Sequence, residues 1–465
     1  MDDFRPAVPQ NELEMLEESI SATESDLNVR VGGVVTAVMP GYCRVSGLSH
    51  FVKLGESVQL VSGGQIRLGE VVRIDENGAS IKTFEPTIDA GLGAIAWRQG
   101  PVTISPDISW KGRIVNALGL PMDDAGPLPQ GEFAISTERA PPAPMRRQRV
   151  KTPIRTGVRV IDLFTPLCAG QRVGIFAGSG IGKSTLLSML VRAKGFDTAV
   201  IALVGERGRE VREFLEDTLE TERDRAIAVV STGDESPMMR RLAPKTAMSI
   251  AEYFRDRGDN VLLIIDSITR FAHAARDVAL AAGEPPVARG YTPSVFSDLP
   301  KLLERAGPGE EGQGSITAIF SVLVDGDDHN EPVADNIRGT LDGHIVLDRT
   351  VADQGRFPAV NILSSVSRLA NAAWSPDERD LVVKLRGMIA RYEDTRDLRL
   401  MGGYHRGSDP ELDNAIDLVP HIFDVMKQKL EDPPSMNAFQ EVANALSAAT
   451  NSGQAKTQPR SNSPR

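Results

Sequence analysis

The segment GIFAGSGIGKSTLL, residues 174–187, constrains the fold of this 465-residue chain more than any other part of the sequence. It reads as an apolar strand, then a glycine-rich turn, then the start of a helix. That order is typical of a phosphate-binding loop, in which glycines let the backbone curl until its N–H groups face a phosphate. The dipole of the following helix adds to the attraction for an anion. The segment therefore predicts a strand–loop–helix unit that binds a nucleoside phosphate.

The side chains of this loop predict how the nucleotide is held. Lys183 is expected to reach the β- and γ-phosphates, and the hydroxyl of Ser184 is expected to ligate Mg²⁺. Ala177 occupies the first position of the pattern, where glycine is more common, and alanine fits there if its φ is negative. The residues predicted to hold the nucleotide are Ala177, Gly178, Ser179, Gly180, Ile181, Gly182, Lys183, Ser184 and Thr185.

Two carboxylates follow apolar runs elsewhere in the chain. Asp266 ends the run VLLIID, and a carboxylate on a strand neighbouring the phosphate loop is needed to hold the water shell of Mg²⁺. Because a helical segment follows Asp266, helix capping is an alternative role, and both roles can hold together. Glu206 follows the run VIALVG and is predicted to be the general base that polarises the attacking water. The alternative for Glu206 is a solvated loop acid.

A single arginine, Arg368, stands in the small and apolar run ILSSVSRLA, far downstream of the loop. Arginine keeps its charge and is costly to bury, so a position of this kind usually serves an anion. The alternative is a structural arginine paired with a carboxylate of the core.

Composition argues against several classes of protein. The net charge is -11, from 52 basic and 63 acidic residues, which argues against a nucleic-acid-binding protein. The N-terminal residues lack the apolar core of a signal peptide, and no stretch approaches the ~18 apolar residues that a membrane span needs. A cytoplasmic protein is therefore expected. The two cysteines, Cys43 and Cys168, are far apart and predict neither a disulfide framework nor a structural zinc site.

The first hundred residues divide into two predicted segments. Residues 1–27 have apolar positions at helical spacing with acids between them, which predicts an amphipathic helix that docks on a partner. A frayed acidic tail is the alternative. Residues 28–96 contain short Val-rich runs, Gly pairs and the hairpin signal Asn77-Gly78, which together predict a small antiparallel β-barrel.

Three further segments follow. Residues 97–375 alternate strand-like and helical runs, the pattern of a parallel sheet covered by helices. A nucleotide or cofactor is expected at the carboxyl edge of such a sheet. Residues 376–447 are predicted to be helical, and residues 448–465 are predicted to form a disordered polar tail.

These motifs, in this order, resemble the rotary ATPase family, which includes the catalytic β subunit of F1 ATP synthase. The resemblance runs from the barrel through the phosphate loop to GERGREV, IIDSITRFAHAAR and RFPAVNILSSVSRLA. Within that family, ARGYTPSVFSDLPKLLERAG, DGHIVLDR and RGSDPELDNAI resemble the flagellar and type III secretion export ATPases, and AGSGIGKST looks more like the flagellar branch. The resemblance implies an α/β fold with a RecA-like P-loop NTPase core, an N-terminal small β-barrel and a C-terminal helical domain.

The same resemblance implies roles for individual residues. It implies Mg-dependent ATP hydrolysis in which Arg368 is an arginine finger that enters the nucleotide site of a neighbouring subunit. It places Phe357 against adenine, and Arg207 and Arg270 on the phosphate side. Because one chain carries the loop, Glu206 and Arg368, every subunit interface can be competent, which favours a homohexameric ring.

The resemblance further implies protein export through a flagellar apparatus, at the inner face of the membrane. The implied partners are a stator-like regulator at the N-terminal helix, a central-stalk-like export protein, complexes of chaperones with export substrates, and a membrane export gate, with no nucleic acid. Alternatives are an injectisome ATPase, a catalytic subunit of an F- or V-type ATP synthase, and a regulatory subunit without turnover, which would lack Glu206. A hexameric nucleic-acid translocase is more remote, because it needs a basic barrel with stacking aromatics.

Overall fold

A computed structural model describes residues 30–324 and 331–457 of the chain. The predicted amphipathic helix in residues 1–27 lies outside the described residues. By its internal contacts the chain divides into two compact units, the first ending at Gly100 and the second beginning at Pro101. The barrel belongs to the first unit, and the large sheet with its helices belongs to the second.

Six strands form a closed barrel in the first unit. They are β1 (Gly32–Met39), β2 (Tyr42–Ser46), β3 (Glu56–Ser62), β4 (Gln65–Asp75), β5 (Gly78–Thr83) and β6 (Ile95–Pro101). Their order around the barrel is β1-β2-β5-β4-β3-β6. Alternate side chains, such as Val58 and Leu60 of β3, are buried in its interior.

The barrel confirms the fold expected for this part of the chain. Asp75 pairs with Gly78 across the tight turn that the Asn-Gly pair predicts. The sixth strand continues beyond residue 96, the predicted end of the barrel, because Trp97 still pairs with Gly32 of β1.

A nine-stranded sheet forms the centre of the second unit. The strands of this unit are β7 (Thr103–Ile104), β8 (Ile114–Asn116), β9 (Ile135–Ser136), β10 (Pro153–Ile154), β11 (Leu167–Cys168), β12 (Arg172–Ala177), β13 (Thr198–Val204), β14 (Ala226–Ser231), β15 (Asn260–Asp266), β16 (Gly307–Pro308), β17 (Ser315–Leu323), β18 (Gly343–Val346) and β19 (Val366–Ser367). The main order is β19-β18-β12-β17-β15-β13-β14-β8, with β16 paired to β17. The sheet is parallel from β18 to β8, and β16 and β19 pair in antiparallel fashion.

Helices alternate with these strands and continue to the C-terminal part of the chain. They are α1 (Arg159–Phe164), α2 (Lys183–Val191), α3 (Gly208–Glu222), α4 (Pro237–Asp256), α5 (Ile268–Ala281), α6 (Pro293–Arg305), α7 (Pro332–Thr340), α8 (Arg349–Asp353), α9 (Ala370–Ala373), α10 (Pro376–Asp394), α11 (Arg396–Leu400), α12 (Pro410–Met426) and α13 (Ala438–Thr457). The strand β13 is buried along its whole length, because helices cover both faces of a parallel sheet. The predicted α/β core is confirmed.

The C-terminal helices share the hydrophobic core of the sheet. Buried residues of α10 and α12, such as Val382 and Val419, belong to the same apolar cluster as Ile175 of β12. A capping box at Ser375 and Glu378 fixes the start of α10.

The last helix departs from the sequence-based expectation. It continues to Thr457, into the segment 448–465 that is predicted to be a disordered tail. The alanines in this stretch, including Ala448 and Ala449, have a high helix propensity. The helix therefore extends further than the polar composition indicates. Residues 458–465 lie outside the described residues.

Both cysteines, Cys43 and Cys168, are buried, and neither forms a disulfide. Within the described ranges, no helix has the length and apolar character needed to cross a membrane.

Candidate active site

The phosphate loop joins β12 to α2 at the carboxyl edge of the sheet. Gly180 and Gly182 have φ values of +77° and +86°, in the left-handed region that favours glycine. Gly182 is the N-cap residue of α2 and brings no side chain to the first N–H groups of the helix. These groups stay available to an anion. Ala177 ends β12 in extended conformation, so alanine fits the first position of the loop.

A cleft of about 570 Å³ lies against this loop. It is lined by Ala177, Gly178, Ser179, Gly180, Gly182, Lys183, Ser184, Thr185, Glu206, Arg207, Glu210, Arg270, Leu323 and Val324. Of the predicted loop residues, Ile181 is the exception: its apolar side chain is buried in the core. The structure thus brings the loop together with Glu206, Arg207 and Arg270, which the sequence places far apart.

Lys183 lies between two carboxylates. Its Nζ contacts Asp266 Oδ1 and is 3.5 Å from Glu206 Oε1. The side chains of Lys183 and Glu206 are each 12% exposed, and that of Asp266 is 4% exposed. Ser321 Oγ donates a hydrogen bond of 2.8 Å to Asp266 Oδ1. Because isolated buried charges are costly, this pairing offsets the cost of holding the three groups away from water.

Glu206 has the electrostatic environment of a tuned base. Burial raises the pKa of its carboxyl, the positive charges of Lys183 and Arg270 oppose that rise, and the negative charge of Asp266 adds to it. Arg270 Nη2 is 3.5 Å from Glu206 Oε2. Among the described residues, Glu206 Oε1 accepts no hydrogen bond. A general base is most effective when its pKa lies near the working pH, so a raised pKa suits this role.

Asp266 ends β15, but that strand is not adjacent to the strand that carries the loop. The strand β17 lies between β12 and β15, so the expectation of a directly neighbouring strand is wrong. The long side chain of Lys183 reaches from the phosphate loop across the end of β17 to Asp266. The N-cap of α5 is Ser267, whose Oγ accepts a hydrogen bond of 3.4 Å from Arg270 N. The capping alternative for Asp266 is therefore also wrong, because its neighbour fills that role.

Arg207 sits at the rim of the cleft. It is the N-cap residue of α3, its side chain is 86% exposed, and its Nη1 is 3.5 Å from Glu210 Oε1. Arg270, by contrast, is only 36% exposed and faces Glu206. The two arginines predicted on the phosphate side thus occupy different depths of the same cleft.

Arg368 is separate from the cleft of its own chain. It directly follows the short edge strand β19, its side chain is exposed, and its backbone N–H donates to Asp342 O. No residue in the described part of the chain forms an ion pair or hydrogen bond with its guanidinium. A structural arginine paired with a core carboxylate would be buried, and Arg368 is not.

Phe357 lies next to the loop. Its side chain is 46% exposed. A Cβ atom added at Gly182 would lie 3.5 Å from Phe357 Cδ1, so the ring faces the last glycine of the loop. An exposed ring in this position can stack on a base whose phosphates lie in the cleft.

The structure adds two polar residues that sequence reasoning missed. Glu210 lines the cleft from the first turn of α3, four residues after Glu206, and the second acid in GERGREV could have indicated it. Arg349, at the start of α8, donates a hydrogen bond of 3.1 Å from Nη2 to Ser179 O in the phosphate loop. No local signal marks Arg349, because its partner lies 170 positions away in the sequence.

Two family models match most of the second unit. The ATP synthase alpha/beta family, nucleotide-binding domain, matches residues 157–367. The T3SS EscN ATPase C-terminal domain matches residues 374–446.

Full-length relatives agree with these models. The chain is 55% identical over 437 residues to the flagellum-specific ATP synthase of Agrobacterium fabrum, covering 94% of this chain and 92% of the relative. The assembled ATPase EscN of the enteropathogenic E. coli type III secretion system is similar in structure, with a TM-score of 0.83 and 38% identity over 90% of this chain and 100% of EscN. EscN in complex with its central stalk EscO matches with a TM-score of 0.81, at the same identity and coverage. This chain is an ATPase and belongs to the flagellar and type III secretion ATPases of the ATP synthase alpha/beta family.

Proposed function

We propose that the chain hydrolyses MgATP in the cleft beside the phosphate loop and uses the free energy to drive protein export during flagellum assembly. The observation that carries this proposal is the convergence of Lys183, Glu206 and Asp266 at one edge of the sheet, next to a helix N-terminus. A cation for the phosphates, a base for the attacking water and a carboxylate for the metal are what P-loop hydrolysis requires. The high identity to a flagellum-specific ATP synthase supports the flagellar branch.

Each group in the cleft has a task in this reaction. The N–H groups of the loop and Lys183 bind the phosphates, while Arg207 and Arg270 stabilise negative charge from the open side. Glu206 orients the attacking water and accepts its proton, which requires the deprotonated carboxylate. Lys183 and Arg270 favour that form against the effect of burial.

The donor set suits Mg²⁺ as the cofactor. Ser184 offers a hydroxyl and Asp266 a carboxylate, which are the hard oxygen ligands that Mg²⁺ prefers. The described residues contain no group of three or more His, Cys, Asp and Glu side chains that could hold a metal. A site with only two protein ligands, Ser184 and Asp266, fits an ion that is bound largely through substrate phosphates and water. When bound, Mg²⁺ neutralises charge on the β- and γ-phosphate oxygens.

Arg368 completes the site from a second copy of the chain. Its exposed guanidinium lies outside the cleft of its own chain and so is free to stabilise the transferring phosphoryl group in a neighbour. We therefore propose a homohexameric ring in which each interface forms one catalytic site. The assembled state of EscN, and its complex with the central stalk EscO, support a ring with a stalk-like partner.

The remaining partners follow from the proposed export role. The ring acts in the cytoplasm, at the inner face of a membrane export gate, and receives complexes of chaperones with export substrates. Residues 1–27 bind a stator-like regulator through their apolar stripe.

A loss-of-function variant with a matched control tests this proposal. Lys183→Ala should abolish ATP hydrolysis by the purified chain, whereas Lys194→Ala, at an exposed site, should retain it. In a flagellated host that lacks its own flagellar ATPase, the wild-type chain and Lys194→Ala should restore swimming, and Lys183→Ala should not. Normal hydrolysis by Lys183→Ala would remove the site assignment. If the wild-type chain hydrolyses ATP but does not restore swimming, the flagellar role is wrong and the site assignment stands.

A further inference from the structure

A short connector, residues 427–437, joins α12 to α13 and runs along the nucleotide-binding core. Two of its backbone carbonyls accept hydrogen bonds from arginines of α1 and of the end of α2. Arg159 Nη1 donates to Lys427 O at 3.2 Å, and Arg192 Nη1 donates to Leu430 O at 2.5 Å. Because Arg192 is the C-cap of α2, the connector contacts the far end of the helix that begins in the phosphate loop.

The side chain of Gln428 bonds this connector to the core. Its side chain is buried, at 4% exposure. Its Nε2 donates to Gly157 O at 2.9 Å, and its Oε1 accepts from Arg159 N at 3.1 Å. The two partners fix the orientation of the amide, because a flipped amide would place an N–H group against an N–H group and an oxygen against a carbonyl oxygen. The side chain therefore locks residue 428 onto the start of the core.

The backbone of the same residue holds the base side of the nucleotide site. Gln428 N donates to Phe357 O at 2.8 Å. The ring of Phe357 in turn faces Gly182 of the phosphate loop. One residue thus links the core segment at Gly157 to the aromatic ring beside the loop.

We propose that Gln428 is a positioning residue that sets the place of the Phe357 ring against the nucleotide base. This inference rests on the proposed function, since the base contact at Phe357 belongs to that function. The side-chain amide keeps residue 428 in place, and its backbone N–H then holds the Phe357 carbonyl. Gln428 is the second residue after the end of α12.

The inference separates binding of the base from binding of the phosphates. Loss of the amide should weaken a ligand that has a base and leave a ligand without one unaffected. A general distortion of the core would instead weaken both, because the phosphate loop is built on that core. ADP and inorganic pyrophosphate, each with Mg²⁺, are suitable probes of this difference.

Calorimetric titration of the full-length chain provides the test. Gln428→Ala should bind ADP about tenfold more weakly, the loss expected for about one well-placed hydrogen-bonding group, and should bind pyrophosphate as the wild type does. Phe357→Ala should show the same selective loss. Gln440→Ala, an exposed glutamine in α13, is the matched control and should change neither affinity.

A double-mutant cycle identifies the path of the effect. If Gln428 acts through Phe357, the Gln428→Ala and Phe357→Ala losses in ADP affinity should be far from additive. Additive losses, or an equal loss for ADP and pyrophosphate, would overturn the positioning role. Should Gln428→Ala not fold, Gln428→Met fills the same space without either side-chain hydrogen bond and should show the same selective loss. An unchanged ADP affinity in that variant would also overturn it.

The same data separate this inference from the proposed function. If Phe357→Ala leaves ADP binding unchanged, the base contact itself is wrong. If Phe357→Ala weakens ADP binding and Gln428→Ala does not, the role of Gln428 alone is wrong.

Discussion

Lys183 and Arg368 are both predicted to act on the phosphates of ATP, yet their surroundings in one chain are opposite. Lys183 is 12% exposed and lies between Asp266 and Glu206. Arg368 is exposed, and no described residue pairs with its guanidinium. The charge of Lys183 is thus balanced by carboxylates of its own chain, whereas the charge of Arg368 faces solvent.

From this difference we infer how binding and catalysis are divided between chains. A buried ion pair holds Lys183 in a defined place, so we expect a single chain to bind phosphates by itself. An exposed arginine without a partner gains its electrostatic value only where water is excluded, in contact with a second chain. In the proposed mechanism, binding therefore belongs to one chain and full catalysis to an interface. The predictions below test that division, from the largest expected effect to the smallest.

Replacing Arg368 should give the largest loss of rate without loss of binding. Arg368→Ala keeps the loop and Glu206, so it should bind ATP normally and still form rings. An arginine finger is worth about 10³ to 10⁵ in rate in related P-loop enzymes, so kcat should fall by that order. Steady-state hydrolysis and nucleotide titration measure the two properties separately. Weakened ATP binding in this variant would place Arg368 in the binding site of its own chain.

Mixed rings test whether Arg368 acts in a neighbouring chain. Lys183→Ala and Arg368→Ala chains are each inactive alone, for different reasons. In an equal mixture, about a quarter of the interfaces in randomly assembled rings should join the intact loop of one variant to the intact arginine of the other. Those interfaces should recover hydrolysis. If mixed rings form and no mixing ratio restores activity, Arg368 acts within its own chain or only holds the fold.

Replacing Glu206 should separate catalysis from binding within a single chain. Glu206→Gln keeps the shape of the side chain and removes the base, so turnover should fall by about 10² or more while ATP still binds. Glu213→Gln, an exposed carboxylate of the following helix, is the control and should keep normal turnover. Normal turnover by Glu206→Gln would leave Glu206 as no more than an acid at the edge of the cleft.

Much of this site could be predicted because its signals are local. The phosphate loop and Glu206 come after apolar strands, Asp266 ends another, and parallel strands bring their carboxyl ends to one edge. The order of the strands could not be predicted in the same way. The insertion of β17 between β12 and β15 depends on crossover connections, which leave no mark in local periodicity.

Contacts between distant segments could not be predicted either, because they also leave no mark in the local sequence. Arg349 and Gln428 look like ordinary polar residues, and only the tertiary fold brings them to Ser179 and Phe357. The proposed partner of Arg368 lies in another chain, so only a resemblance to a family pointed to it. Local chemistry was therefore easier to predict than the residues that hold it in place.

Arg349 offers an intermediate case, an exposed cation that is bonded to the loop of its own chain. Arg349→Ala removes the hydrogen bond to Ser179 O, which should loosen the loop and raise KM for ATP about fivefold with little change in kcat. Arg379→Ala, another exposed arginine, is the control. A large loss of kcat would instead assign Arg349 to the transition state, like Arg368.

The smallest effect concerns the charge balance around Glu206 and appears as a displacement in pH. The positive charge of Arg270 lowers the pKa of Glu206, so Arg270→Gln should raise that pKa further above its ordinary value. Since the base acts only when deprotonated, the acid limb of the kcat/KM profile should move to higher pH in Arg270→Gln, whatever the loss of absolute rate. Arg276→Gln, on the same helix and paired with Asp277, should leave the limb in place. An acid limb that moves to lower pH, or does not move, would mean that the titrating group is not the carboxylate facing Arg270. The role of general base in the cleft would then have to be assigned to a residue other than Glu206.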